Sequence, residues 1–236
     1  MITSASAEHC LSFINTQLQT PGKSGKSAHI DVPRAVTLSR QAGCGAAIVA
    51  GKLAEHLQPF SSGERRPWTV YDRNLMDEVL KDHGLPAHLA KCLHEDKVSQ
   101  LEEILANVFD VRPSSQTVIE YATETMLKLA RSGNVIIVGW GSGVILAELK
   151  CALHVRLVAP LKKRVEHIQQ VRNLTEHEAH KFCVSEDRAR ERHFRQYFNA
   201  DINDPLLYHL VVNTGRVGYD EAAKLIGNTL LQLHPD

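Results

Sequence analysis

The chain carries no excess charge of either sign. Over 236 residues, 27 Lys and Arg balance 27 Asp and Glu. Nucleic acid or an anionic membrane surface therefore meets no global field to bind to, and neither is expected as a partner. No apolar run approaches the roughly 20 residues that cross a bilayer, and no basic segment followed by an apolar one marks a secretory leader. The five cysteines (Cys10, Cys44, Cys92, Cys151, Cys183) are odd in number, widely spread and form no C-x-x-C pair. That usage suits a reduced, cytoplasmic chain with buried thiols. His177 and His180 do not form the H-E-x-x-H pattern, so no protein metal site is expected. With 43% hydrophobic and 23% charged residues, the composition is that of a soluble globular protein. The length allows one generous α/β domain, or a core domain with an inserted subdomain.

The chain is organised around Ala35 to Leu57. Ala35-Val36-Thr37-Leu38 is a short β-rich run, Ser39-Arg40-Gln41-Ala42-Gly43-Cys44-Gly45 a glycine-bearing turn, and Ala46 to Leu57 an amphipathic helix burying Ile48, Val49, Leu53 and Leu57. Strand, glycine turn, helix is an architecture that holds phosphate, because unpaired N–H groups and partial positive charge collect at a helix N-terminus. A full phosphate loop reads G-x-x-x-x-G-K-[ST]; counted back from Gly45, the first glycine position is Arg40, and Ala46 and Ala47 stand in the last two. From spacing alone, an ordinary tight turn competes with a nucleotide site. Cys44 is either a thiol activated at a helix N-terminus or a small residue filling the turn. The Gly-Lys-Ser repeats at 22–27 lack both a preceding strand and a following helix, so residues 1–33 read as a polar, flexible segment.

Downstream, Trp68 to Tyr71 reads as a second strand, ending in Asp72-Arg73, where open α/β sheets bind ligands or where Asp72 caps the next helix. Residues 74–132 read as helical throughout, an insert on the sheet's edge. Gly133 ends it, and Asn134 to Val138 is a buried strand followed by Gly139-Trp140-Gly141. Leu153 to Val158 is a fourth strand, and Thr175 with Glu178 opens a long charged helix through Phe198 by a capping box. Arg188, Arg192 and Arg195 share one stripe of it, either a solvated face or a clamp for phosphoryl groups. Tyr208 to Val212 is the fifth strand, and residues 220–233 the closing helix. Strands alternating with helices imply a parallel sheet.

These segments, in this order, resemble the cytidylate kinase-like family of P-loop nucleoside monophosphate kinases. The segments that carry the resemblance are residues 37–45, 71–73, 138–141, 154–160, 186–190 and 204–214. The resemblance implies an α/β, P-loop kinase-like fold over residues 34–236: a parallel five-stranded sheet flanked by helices, with a helical acceptor-binding insert near 74–132 and a charged lid near 172–200. It implies phosphoryl transfer from ATP with Mg²⁺, the ion held mainly by the nucleotide, to CMP, dCMP or a related small acceptor. Ser39, Arg40, Gln41, Ala42, Gly43, Cys44 and Gly45 would cradle the ATP phosphates. Asp72, Arg73, Gly139 and Gly141 would face the acceptor, and Arg188, Arg192 or Arg195 would close on the phosphates. Arg40 would supply part of the charge that Ala46 lacks. Ala46, Ala47, and Trp140 in place of an arginine after the glycine, favour a second expectation: a catalytically weakened nucleotide-binding regulator. The third is an α/β interaction module that binds no nucleotide.

Overall fold

A computed structural model of the protein describes residues 34–61, 67–72, 75–83 and 115–233. The expectations for residues 1–33, for Arg73 and for the middle of the helical insert (84–114) lie outside them.

Five strands form one sheet: β1 Ala35–Arg40, β2 Thr69–Tyr71, β3 Val135–Val138, β4 Ala152–Val158 and β5 Leu210–Asn213, in the order β2-β3-β1-β4-β5. Every pairing is parallel, with Leu38 opposite Val138 on one side and Val155 on the other. The central strands read as unbroken apolar runs because helices cover both faces; all four residues of β3 are buried.

The two faces are filled differently. Even-numbered Val36 and Leu38, with odd-numbered Leu153, Val155 and Leu157, point one way, as the two-residue strand period requires. They meet α1 (Ala46–Leu57) and the closing helix, here α7 (Tyr219–Leu233), in a cluster of apolar side chains that includes Leu53, Leu57, Ile226 and Leu230. The other face carries Ala35, Thr37 and Ser39 of β1 and Ala152, His154 and Arg156 of β4. It is covered by α2 (Leu75–Asp82), α3 (Ser115–Ser132), the short α4 (Ser142–Ile145) and the end of the long arm helix. Here Thr37, His154 and Arg156 are buried polar groups among Ile137, Phe194, Tyr197 and Phe198.

The arm is α5 (Leu161–Arg172) followed by α6 (Glu176–Phe198). α6 begins where the sequence says, with both reciprocal hydrogen bonds of the Thr175–Glu178 capping box formed. Asn173 takes a left-handed conformation to end α5. Val165, Ile168, Ala179 and Cys183 then pack with Ala42 of the glycine turn, and the Arg172 guanidinium lies 4.2 Å from the Phe182 ring centroid. The arm is thus seated on the turn. The sequence boundaries shift by one or two residues at every strand: β1 runs on through Arg40, Trp68 precedes β2, Asn134 precedes β3, β4 starts at Ala152, and β5 runs from Leu210 to Asn213, with Tyr208 and His209 bonded back to β1 and β4.

Candidate functional site

The glycine turn lies at the carboxyl ends of β1, β3 and β4, where open parallel sheets bind ligands. Gly43 and Gly45 both have left-handed backbones, at φ 80° and 79°. Close approach demands glycine as well: a Cβ on Gly43 would sit 2.6 Å from the Arg164 carbonyl oxygen, and one on Gly45 would strike the Tyr219 ring. Gly45 is the N-cap of α1, which has no side-chain cap and no acidic residue in its first turn. The partial positive charge of this helix end is therefore met by no capping side chain of Gly45 and by no carboxylate of the first turn.

The turn is held from every side. Gln41 N–H donates to Leu157 O at 3.0 Å, and Gln41 Oε1 accepts from Ala159 N–H at 3.1 Å. Thr214 Oγ1 donates to Cys44 O at 2.8 Å. The Asp187 carboxylate of α6 accepts the Ala42 N–H at 2.7 Å, Arg164 Nη1 at 2.6 Å and Arg190 Nη2 at 3.0 Å. Arg164 in turn donates to the carbonyls of Ala42 and Ala159. Asp187 and Arg164 form a partly buried ion pair that fastens the arm to the turn; such geometry is costly to break from one side.

Between turn and arm is a small cleft lined by Arg40, Gln41, Arg156, Asp187, Arg190 and Asn203, among others. Arg156 and Arg190 are 5% and 7% exposed. Arg190 is paired with Asp187 and, at 3.4 Å, with Glu186, yet its Nε is buried with no hydrogen-bond partner. Arg156 Nη1 donates to Ser39 Oγ at 2.8 Å and Nη2 to Asn203 Oδ1 at 2.9 Å. A second hollow lies on the far side of Ser39, bounded by Gly139, Gly141, Gly143, Phe194 and Tyr208. The Tyr208 hydroxyl is 3.2 Å from Ser39 Oγ and donates to Ile202 O at 2.8 Å.

The structure gathers part of the expected set. Ser39 through Gly45 form one turn, Arg40 lines the cleft, and Gly139 and Gly141 line the second hollow. Asp72 is half-buried and its carbonyl accepts the Leu75 N–H at 3.3 Å, starting α2. Arg188, Arg192 and Arg195 are exposed on α6, and none of them lines the cleft. The residue that α6 turns inward is Arg190. The Cys44 thiol is not activated: burial pushes its pKa up to about 11, and the arginines nearby offset this only in part. Trp140 lines neither of these two hollows. It is buried in the cluster under α3 and α6 with its backbone at φ 59°, a conformation rare for a bulky residue and held here by packing.

Spacing along the chain assigns no role to Arg156, Arg164, Asp187 or Arg190. Arg156 did leave a trace. An arginine and a histidine inside Leu153-His154-Val155-Arg156-Leu157 break the apolar run of a central parallel strand, and a charge spent there needs a reason. Arg190 left none, because one arginine among ten charged residues on a helix looks like solvated surface.

Sheet order and the strand–glycine turn–helix unit define the class of the fold, an α/β fold of the P-loop kinase type. Residues 35–216 match the cytidylate kinase-like family. A cytidylate kinase of Natronomonas pharaonis is 25% identical over 204 residues, covering 85% of this chain and 91% of that protein. A protein named uronate isomerase from Corynebacterium glutamicum is 30% identical over 113 residues; the match covers 48% of this chain and only 22% of that protein's length. A crystal structure of an uncharacterized protein from Eubacterium ventriosum superposes with a TM-score of 0.64 over 85% of this chain and 99% of that one, at 19% identity. That likeness concerns the fold. The chain belongs to the cytidylate kinase-like family.

Proposed function

We propose that the protein transfers the γ-phosphoryl group of ATP to a nucleoside monophosphate, with CMP or dCMP as first candidates. The observation that carries this reading is the juxtaposition of the uncapped N-terminus of α1, behind Gly43 and Gly45, with the cleft lined by Arg40, Arg156 and Arg190. Phosphoryl transfer asks a protein for positioning and charge neutralisation more than for covalent chemistry, and backbone amides with guanidiniums supply both. The ATP phosphates would lie along the turn and the acceptor in the hollow at Gly139 and Gly141. Among the described residues no cluster of three His, Cys, Asp or Glu is placed to hold a metal, and Ala47 offers no hydroxyl. Mg²⁺ would therefore enter on the nucleotide's own phosphates, neutralising charge there. No described helix is long and apolar enough to cross a membrane; a cytoplasmic setting goes with reduced, buried Cys44, Cys151 and Cys183.

A second reading, a nucleotide-binding regulator with little turnover, is favoured by one contact. The Asp187 carboxylate already occupies the Ala42 amide, an N–H that a phosphate oxygen would otherwise take. ADP release with Mg-ATP against a panel of nucleoside monophosphates, run beside an ATP-binding titration, separates the two. Turnover with CMP or dCMP supports the kinase, and its loss in Arg40→Ala is expected. Binding without turnover on any acceptor supports the regulator, and no ATP binding at all overturns both.

A further inference from the structure

Three arginines on the arm side of the sheet are buried, but their charges are met differently. Arg164 and Arg190 each face the Asp187 carboxylate at 3.0 Å or less. Arg156 is as deeply buried, at 5% exposure, and the groups it donates to, the Ser39 hydroxyl and the Asn203 side-chain carbonyl, are neutral. The Tyr208 hydroxyl is a third neutral neighbour, so the guanidinium, with its five N–H donors, is engaged without a directly bonded carboxylate. Glu191 lies beyond Asn203, whose Nδ2 donates to Glu191 Oε1 at 3.1 Å; the amide stands between the carboxylate and the arginine. Asp187 acts on Arg156 only at a distance, and burial pulls the guanidinium's pKa down. A charge buried with neutral partners is expensive unless an anion completes the site.

Its position says which anion. Arg156 lines the cleft beside Arg40 and Arg190, while Ser39, to which it donates, lines the hollow at Gly139 and Gly141. Arg156 therefore stands at the wall between the two spaces, at the carboxyl end of β4. We propose that Arg156 contacts the phosphate chain of the nucleotide at the point of transfer, supplying from β4 the positive charge that Ala46 withholds from the turn. The inference rests on the kinase reading for the word transfer, and on the geometry alone for the phosphate contact. Ser39 and Asn203 align the guanidinium, and the Tyr208 ring, its centroid 5.9 Å from Arg156 Cζ, walls it in.

The test uses the full chain, with tripolyphosphate as a probe that needs no acceptor, followed by ATP with the best acceptor of the panel. Arg156→Met should weaken tripolyphosphate binding by about tenfold or more. It should lower kcat by about 100-fold, with KM for ATP changed less, and Arg156→Lys should recover part of both. Should Arg156→Met fail to fold, Arg156→Gln keeps a donor for Ser39 or Asn203 without the charge and carries the same comparison. A variant that melts lower but binds tripolyphosphate as the wild type does would make Arg156 a structural tie and overturn the inference; so would a wild type that binds none. Tripolyphosphate binding that depends on Arg156, in a wild type that phosphorylates no acceptor, supports the phosphate contact and overturns the kinase reading.

Discussion

The two faces of the sheet are built from the same strands, yet one is dry and the other is not. Toward α1 and α7 the strands present Val36, Leu38, Ile136, Leu153, Val155 and Leu157, and the cluster they join is apolar throughout. Toward α3 and α6 they present Thr37, Ser39, His154 and Arg156 between apolar neighbours. Each of these polar groups costs stability unless it is met by a partner. Thr37 Oγ1 meets His154 Nδ1 at 2.8 Å and the His154 N–H donates to His209 Nδ1 at 2.9 Å, whereas His154 Nε2 is left without a partner. One face holds the sheet together; the other gives up apolar contact to place charge beside the glycine turn.

The largest effect that would sharpen this contrast is on the dry face. Leu53 is fully buried between β-sheet and α7, so Leu53→Ala should cost about 4 kcal/mol by lost transfer energy and the cavity left behind. Urea unfolding measures the loss. Anion binding by the molecules that remain folded should be unchanged; a parallel loss of binding would break the division of labour between the faces. Next comes Asp187→Asn, which leaves Arg164 and Arg190 short of their shared carboxylate and replaces an acceptor of the Ala42 N–H. About 3 kcal/mol is expected from unpairing these buried cations. The same change should tighten tripolyphosphate binding, because it frees positive charge in the cleft. Weaker binding would mean that Asp187 shapes the turn rather than competes for it.

The smallest effect is a pH dependence confined to the polar face. Burial, helped by the neighbouring His209, pushes the His154 pKa down to about 4, below the ordinary 6.5. Between those values the unfolded chain takes up a proton that the folded chain refuses, so stability is full above about pH 6.5 and falls as the pH drops toward 4. The share owed to His154 is about 2 kcal/mol at pH 4.5. It should vanish from the difference between urea midpoints at pH 7.5 and 4.5 in His154→Asn, whose amide can still meet Thr37. An unchanged difference would assign the pH dependence to carboxylates instead.

Much of the architecture was legible from local chemistry. The apolar run of β3 and the Thr175–Glu178 capping box mark strand and helix start within a few residues, and the glycines at 43 and 45 mark the turn, so composition and pattern report them directly. Alternation of strands and helices was enough for a parallel sheet. The arginines were a different matter. Periodicity on α6 pointed to Arg188, Arg192 and Arg195 as one stripe, and a stripe says which residues share a side, not which side faces the turn. That choice belongs to tertiary packing: Ala179, Cys183 and Phe194 go inward, Arg190 goes with them, and the stripe is left in solvent. The sequence shows that Trp140 replaces an arginine after Gly139; that its ring is buried under α3 and α6, on a left-handed backbone, is visible only in the fold. The sequence by itself determined the order of elements and the family, because these are carried by local pattern and by the residues of each segment. Only the tertiary structure decided which guanidiniums meet at the turn, because Arg40, Arg156 and Arg190 are brought together from β1, β4 and α6 across more than a hundred residues of chain.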